Sequence, residues 1–110
     1  MIKNTTKNIM LAENDKVCIS HLSKAKGLVF SFRKKNLVFV NRKTARTRLH
    51  MFFVFYAIDA AWLDENKKVI HKETLKPFSI SKSVDARYVI EMPAGAFKTT
   101  EIGDILEFET

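Results

Sequence analysis

The chain has 110 residues, 46% hydrophobic and 28% charged, with a net charge of +7; that length suits one domain, residues 1–110, around one core. Its single cysteine, Cys18, excludes an intrachain disulfide and any cysteine-cluster zinc or iron–sulfur centre. Three glycines, none spaced as GxGxxG, exclude a glycine-rich phosphate loop, and no cofactor is expected.

The opening "MIKNTTKNIMLAEN" has no apolar stretch of the length a secretory signal needs. With the lone cysteine, this sets the expectation of a cytoplasmic protein. "KVCIS" (16–20) alternates as a strand, and Cys18 reads there as a small buried hydrophobe. A short helix is expected next, with Ser20 as N-cap and Gly27 near its end. "NLVFV" (36–40) is a strand, and Asn41 opens a basic loop.

The segment 33–48 holds Arg33, Lys34, Lys35, Arg42, Lys43, Arg46 and Arg48 and no acid. The other twelve basic residues are matched by twelve acids elsewhere, so this segment carries the whole surplus. Such a cluster either keeps a loop solvated or attracts a polyanion by releasing its condensed counterions. Nucleic acid is the first partner to consider, with Phe39 available for stacking.

"RLHMFFVFYAIDAAWLD" (48–64) is apolar on both faces when extended, so it predicts a strand region covered on both sides. Its unbroken apolar run ends at Asp59, too short for a membrane span, and no membrane partner is expected. "DENKK" (64–68) turns this strand into "KVIHKE", forming a hairpin whose loop exceeds two residues. Pro77 marks a break, "ARYVIEM" (86–92) is another strand, "PAGAFKTTE" a second short helix, and Gly103–Asp104 a turn into the last strand, "ILEFE". The whole predicts a mainly β fold: a small antiparallel barrel-like or sandwich domain with one or two short helices.

Two chemical groupings stand out. Asp59, set among apolar neighbours, must reach water, pair with a cation such as Arg87, or accept backbone hydrogen bonds. With His50 and Trp62 it defines a candidate small-ligand or enzymatic pocket. His50, Met51 and His71 offer metal-ligand atoms, but their spacing fits no metal motif, and no metal site is expected. No nucleophile–histidine–acid arrangement is legible.

The order "KGLVF", "LHMFFVFYAIDAAWLDENKKVI", "LKPF", "ARYVIEMPAGAFKTTEIGDILEF" resembles the prokaryotic family known as domain of unknown function 192, in its archaeal form, from about Ala25 to Phe108. The residues carrying the resemblance are Gly27, Leu28, His50, Met51, Asp59, Asp64, Pro77, Pro93, Gly95, Gly103 and Asp104. Ala57 departs from the family's usual proline, and "MFF" replaces the "MKN" of bacterial members. The resemblance implies a compact β-rich domain and no particular activity.

Overall fold

A computed structural model describes residues 1–13, 17–22, 28–29, 36–50 and 56–109. Their regular structure consists of strands: β1 (Ile2–Asn4), β2 (Ile9–Ala12), β3 (Val17–Leu22), β4 (Leu28–Val29), β5 (Asn36–Thr47), β6 (Leu49–His50), β7 (Ile58–Leu63), β8 (Val69–Leu75), β9 (Val84–Pro93) and β10 (Leu106–Phe108). The mainly β expectation holds.

Five strands form the larger sheet in the order β3-β5-β9-β7-β8. Its pairings are antiparallel except β3 with β5, which run parallel over Val17↔Asn36 to Leu22↔Asn41. β10, β1 and β2 form a second, antiparallel sheet, and β4 pairs with β6 in parallel. Alternation sends the side chains of each strand to opposite faces. Val38, Ala61, Leu63 and Ile90 on one face of the larger sheet pack against Ile2, Leu106 and Phe108 of the smaller one. The other face gathers Ile58, Ala60, Trp62 and Val89 with Leu49. Apolar demand on both sides explains why all six residues of β7 are buried. The two sheets are laced together along one side, where Val69 N–H donates to Asp104 O at 2.8 Å and Leu106 N–H to Lys67 O at 2.9 Å. The result is a sandwich closed on that side.

Neither expected helix forms among the described residues. Ser20 lies inside β3, where six paired positions along β5 outweigh its capping propensity; residues 23–27 fall outside the described residues. Beyond Pro93 the chain makes successive tight turns, with Ala96 N–H to Pro93 O, Lys98 N–H to Gly95 O and Thr100 N–H to Phe97 O, all at 3.1 Å. Gly95 sits at φ +95°, which no continuing right-handed helix allows. The expected strand at 51–55 also lies outside the described residues. No described helix is long and apolar enough to cross a membrane.

The predicted hairpin forms between β7 and β8. Asp64 builds its turn without glycine: its carboxylate accepts from Asn66 N–H at 2.9 Å and Lys68 N–H at 3.0 Å, while Lys67 takes φ +62°. A second turn, Lys76-Pro77-Phe78-Ser79, is closed by Ser79 N–H to Lys76 O at 3.2 Å. Pro77 pre-sets its second position, and Phe78 occupies the third at φ +63°. That is glycine's place in a type II turn; a phenylalanine there carries strain of order 1–3 kcal/mol.

Candidate functional site

The basic segment is built on a distortion of β5. Val40 pairs with Tyr88 and Ala45 with Ala86, so Asn41 to Thr44 stand opposite Arg87 alone and arch out of the sheet. Buried Asn41 pins the arch: its amide donates to Thr47 Oγ1 and to Ala86 O, both at 2.9 Å. Arg87 Nε donates to Asn41 O at 2.7 Å. Arg42 and Lys43 are exposed on the arch, Arg46 on the strand after it and Arg48 just beyond the end of β5, all within seven residues. Arg46 meets Asp85 at 3.2 Å and donates to Ser83 O at 3.0 Å. Arg42, Lys43 and Arg48 make no ion pair among the described residues. Arg33, Lys34 and Lys35 lie outside the described residues. Phe39 packs against the Trp62 cluster, so it is no exposed stacking platform.

Asp59 is 5% exposed and fully engaged. One carboxylate oxygen accepts from Thr74 Oγ1 at 2.7 Å; the other accepts the backbone amides of Gly95 at 3.0 Å and Phe97 at 3.1 Å. Arg87 is not its partner, because that guanidinium is turned to the arch. Of the three fates open to the carboxylate, acceptance of backbone hydrogen bonds is the one realised. A small cleft of about 140 Å³ lies beside it, lined by Lys72, Glu73, Thr74, Phe97 and Lys98. Trp62, three residues on, points to the opposite face. There it is fully buried, donates from Nε1 to Thr47 O at 3.2 Å and lies 5.0 Å from the His71 ring. The sheet therefore separates Asp59 from Trp62. His50 is the last residue of β6, and its side chain lies outside what the structure describes. No group of three or more His, Cys, Asp or Glu among the described residues is placed to hold a metal.

Sequence reasoning passed over Glu91. Register places it beside Ala60, with Glu73 on the far side of that alanine, and it is 2% exposed. Its Oε2 has no hydrogen-bond partner among the described residues, and burial pushes the carboxyl up to about 8. Glu73 is instead satisfied by His71 Nε2 at 2.9 Å and Lys82 N–H at 3.0 Å. The usable signal was the glutamate of "YVIEM" on a strand with two apolar faces.

The model of domain of unknown function 192, described as an uncharacterised ACR, matches residues 5–108. The chain belongs to this family. It is 34% identical to a UPF0127 protein of Pyrococcus horikoshii over 115 residues, all of both chains. To a UPF0127 protein of Thermococcus kodakarensis it is 32% identical over 98% of this chain and 73% of the other. Two crystal structures share the fold. A protein of unknown function from Novosphingobium aromaticivorans superposes with TM-score 0.67 at 16% identity, covering 84% of this chain and 74% of that one. A provisionally named transcription regulator from Sinorhizobium meliloti superposes with TM-score 0.65 at 20% identity, covering 83% and 79%.

Several residues of the family pattern build loops in this chain. Asp59 holds the turns after Pro93, Asp64 forms the β7–β8 turn, and Gly95 and Gly103 take φ +95° and +98°. Asp104 gathers Asn4 Nδ2 at 2.8 Å, Lys7 Nζ at 2.7 Å and Glu101 N–H at 3.0 Å.

Proposed function

We propose that this member of the family is a non-enzymatic binding module that meets an anionic partner, nucleic acid first, through the arch of β5. The observation that carries the reading is the exposure of Arg42 and Lys43 on the pinned arch, with Arg46 and Arg48 close behind them in sequence, three of the four without an ion pair among the described residues. Side chains so placed lose little solvation when they meet phosphates and release the counterions of a polyanion. The pocket reading is less well supported: Asp59 is saturated by turn amides, and the sheet lies between it and Trp62. The test is fluorescence anisotropy of labelled single- and double-stranded DNA and RNA across a salt series. Affinity is expected to fall steeply with salt and to vanish when Arg42, Lys43, Arg46 and Arg48 are all replaced by glutamate. Absence of binding at low salt overturns the reading.

A further inference from the structure

Arg87 of β9 stands alone opposite the arch of β5, and its guanidinium is held from one edge. Nε donates to Asn41 O at 2.7 Å, and the guanidinium carbon lies 5.6 Å from the centre of the Tyr88 ring. The side chain is half-buried, and its two Nη groups make no hydrogen bond or ion pair among the described residues. A planar fork anchored through Nε keeps its Nη pair for another partner, as two parallel donors matched to two oxygens on one phosphorus. Re-aiming a side chain in this way is a common use of a bulged strand pair.

The surroundings are short of negative charge. Lys67 Nζ lies 5.9 Å from the centre of the same Tyr88 ring, so a second cation shares that ring. Arg42 and Lys43 are exposed on the arch that Arg87 faces. Of the acids tied to this region, Asp85 is paired with Arg46. Glu65 accepts Thr44 Oγ1 at 3.2 Å, at the other foot of the arch from Asn41. A guanidinium already ordered by the fold has little rotamer freedom left to lose, so an anion binds it at a smaller entropic cost than it binds a free surface cation.

We propose that Arg87 clasps one phosphate of a nucleic-acid backbone with its Nη pair, as the fixed contact to which Arg42, Lys43, Arg46 and Arg48 add general positive charge. This deepens the polyanion reading and rests on it. A phosphodiester suits the fork because each phosphorus carries two non-bridging oxygens. The group also repeats along a chain that the neighbouring cations can follow. A phospholipid headgroup offers the same chemistry on a flat surface, to which a half-buried fork at the foot of an arch is hard to apply.

The experiment is a salt series of anisotropy titrations with a labelled duplex and a labelled oligothymidylate, on native protein, Arg87→Gln, Arg87→Lys and Lys98→Gln. Phosphatidylglycerol vesicles are tested beside them by co-sedimentation, and thermal melts check folding. Each phosphate neutralised contributes about 0.9 to the slope of log affinity against log salt for a duplex, and about 0.7 for a single strand. Arg87→Gln is expected to reduce the slope by about that much and to weaken binding about tenfold at low salt. Arg87→Lys keeps the charge and a donor for Asn41 O but loses the fork. Its slope should match the native one while its affinity stays below native at every salt concentration. Lys98→Gln removes an exposed charge on the turns beyond the far end of β9 and should leave the slope at the native value.

An unchanged slope in folded Arg87→Gln overturns the assignment and leaves Arg87 as a pin of the arch. The polyanion reading then stands, provided the four-glutamate variant still fails to bind. A slope lowered equally in Lys98→Gln also overturns it, because loss of charge anywhere would then account for the effect. Should Arg87→Gln fail to fold, Arg87→Lys decides, and native affinity throughout its series overturns the clasp. Native protein that binds neither nucleic acid overturns both readings. Binding to vesicles alone, lost in Arg87→Gln, overturns the inference in favour of a lipid phosphate.

Discussion

Asp59 and Gly95 meet through a 3.0 Å hydrogen bond from the glycine amide to the carboxylate, and Phe97 N–H adds a second donor to the same oxygen. The pair joins the centre of the larger sheet to the turns that leave β9. Gly95 contributes what another residue would resist, a backbone at φ +95° that aims its amide inward. Phe97, carried by the same turns, fills the core between the two sheets.

Replacing Asp59 with asparagine keeps the size and one acceptor but turns an amide N–H₂ toward one set of donors. Hydrogen bonds to a charged acceptor contribute about 1.5–3 kcal/mol each, so Asp59→Asn is expected to lose about that much stability. Urea unfolding would show a lower midpoint with an unchanged slope. Oligonucleotide affinity at a temperature where the variant stays folded should match the native value. A large loss of binding in a fully folded variant would return Asp59 to the site.

The contrast between Asp59 and the strands around it shows what a sequence displays. The sequence marked 36–40, 58–63, 68–73, 86–92 and the closing strand, because each presents its own side chains to a core. β1 and β2 were missed: their short runs are broken by "NTTKN", and their pairing depends on a turn with Asn8 at φ +56°. The parallel partnership of β3 with β5 was also hidden, since nothing local distinguishes it from an antiparallel one. The partners of Asp59 are backbone amides, which every residue but proline possesses, so composition pointed instead to Arg87. Phe78 was legible only as a proline-marked turn; the sign of its φ came from the fold.

Trp62 links strands that are not neighbours. Its indole N–H crosses β9 to reach Thr47 O at 3.2 Å, next to the base of the basic arch. Trp62→Phe keeps most of the apolar volume but strips a buried carbonyl of its donor, and is expected to destabilise by about 1–3 kcal/mol. Because Asn41 and Arg87 still hold the arch, anisotropy titrations should show polyanion affinity within about twofold of native. A parallel collapse of affinity in a folded variant would place Trp62 in the binding machinery.

Two buried carboxyls give the stability a shaped pH dependence. Burial alone would raise Asp104, but its hydrogen bonds from Lys7, Asn4 and the Glu101 amide outweigh that and hold it at about 2, below its ordinary 3.8. Its stabilising contribution is complete above about pH 4 and is lost as pH falls through about 2. Glu91 runs the other way. Burial raises it from an ordinary 4.5 to about 8, so its contribution is complete below about pH 4.5 and is lost as pH rises through about 8. The stability, and the melting temperature with it, should therefore peak near pH 4–5 and decline toward pH 8, the unfolding free energy falling by on the order of a few kcal/mol at the alkaline end. Glu91→Met fills similar space without a charge to desolvate. It is expected to raise the melting temperature at pH 8, to change it little at pH 4.5, and so to flatten the alkaline limb. Asp104→Asn should flatten the acid limb and leave the alkaline one in place. A native protein as stable at pH 8 as at pH 4.5 would mean that the Glu91 carboxyl is solvated or paired in solution.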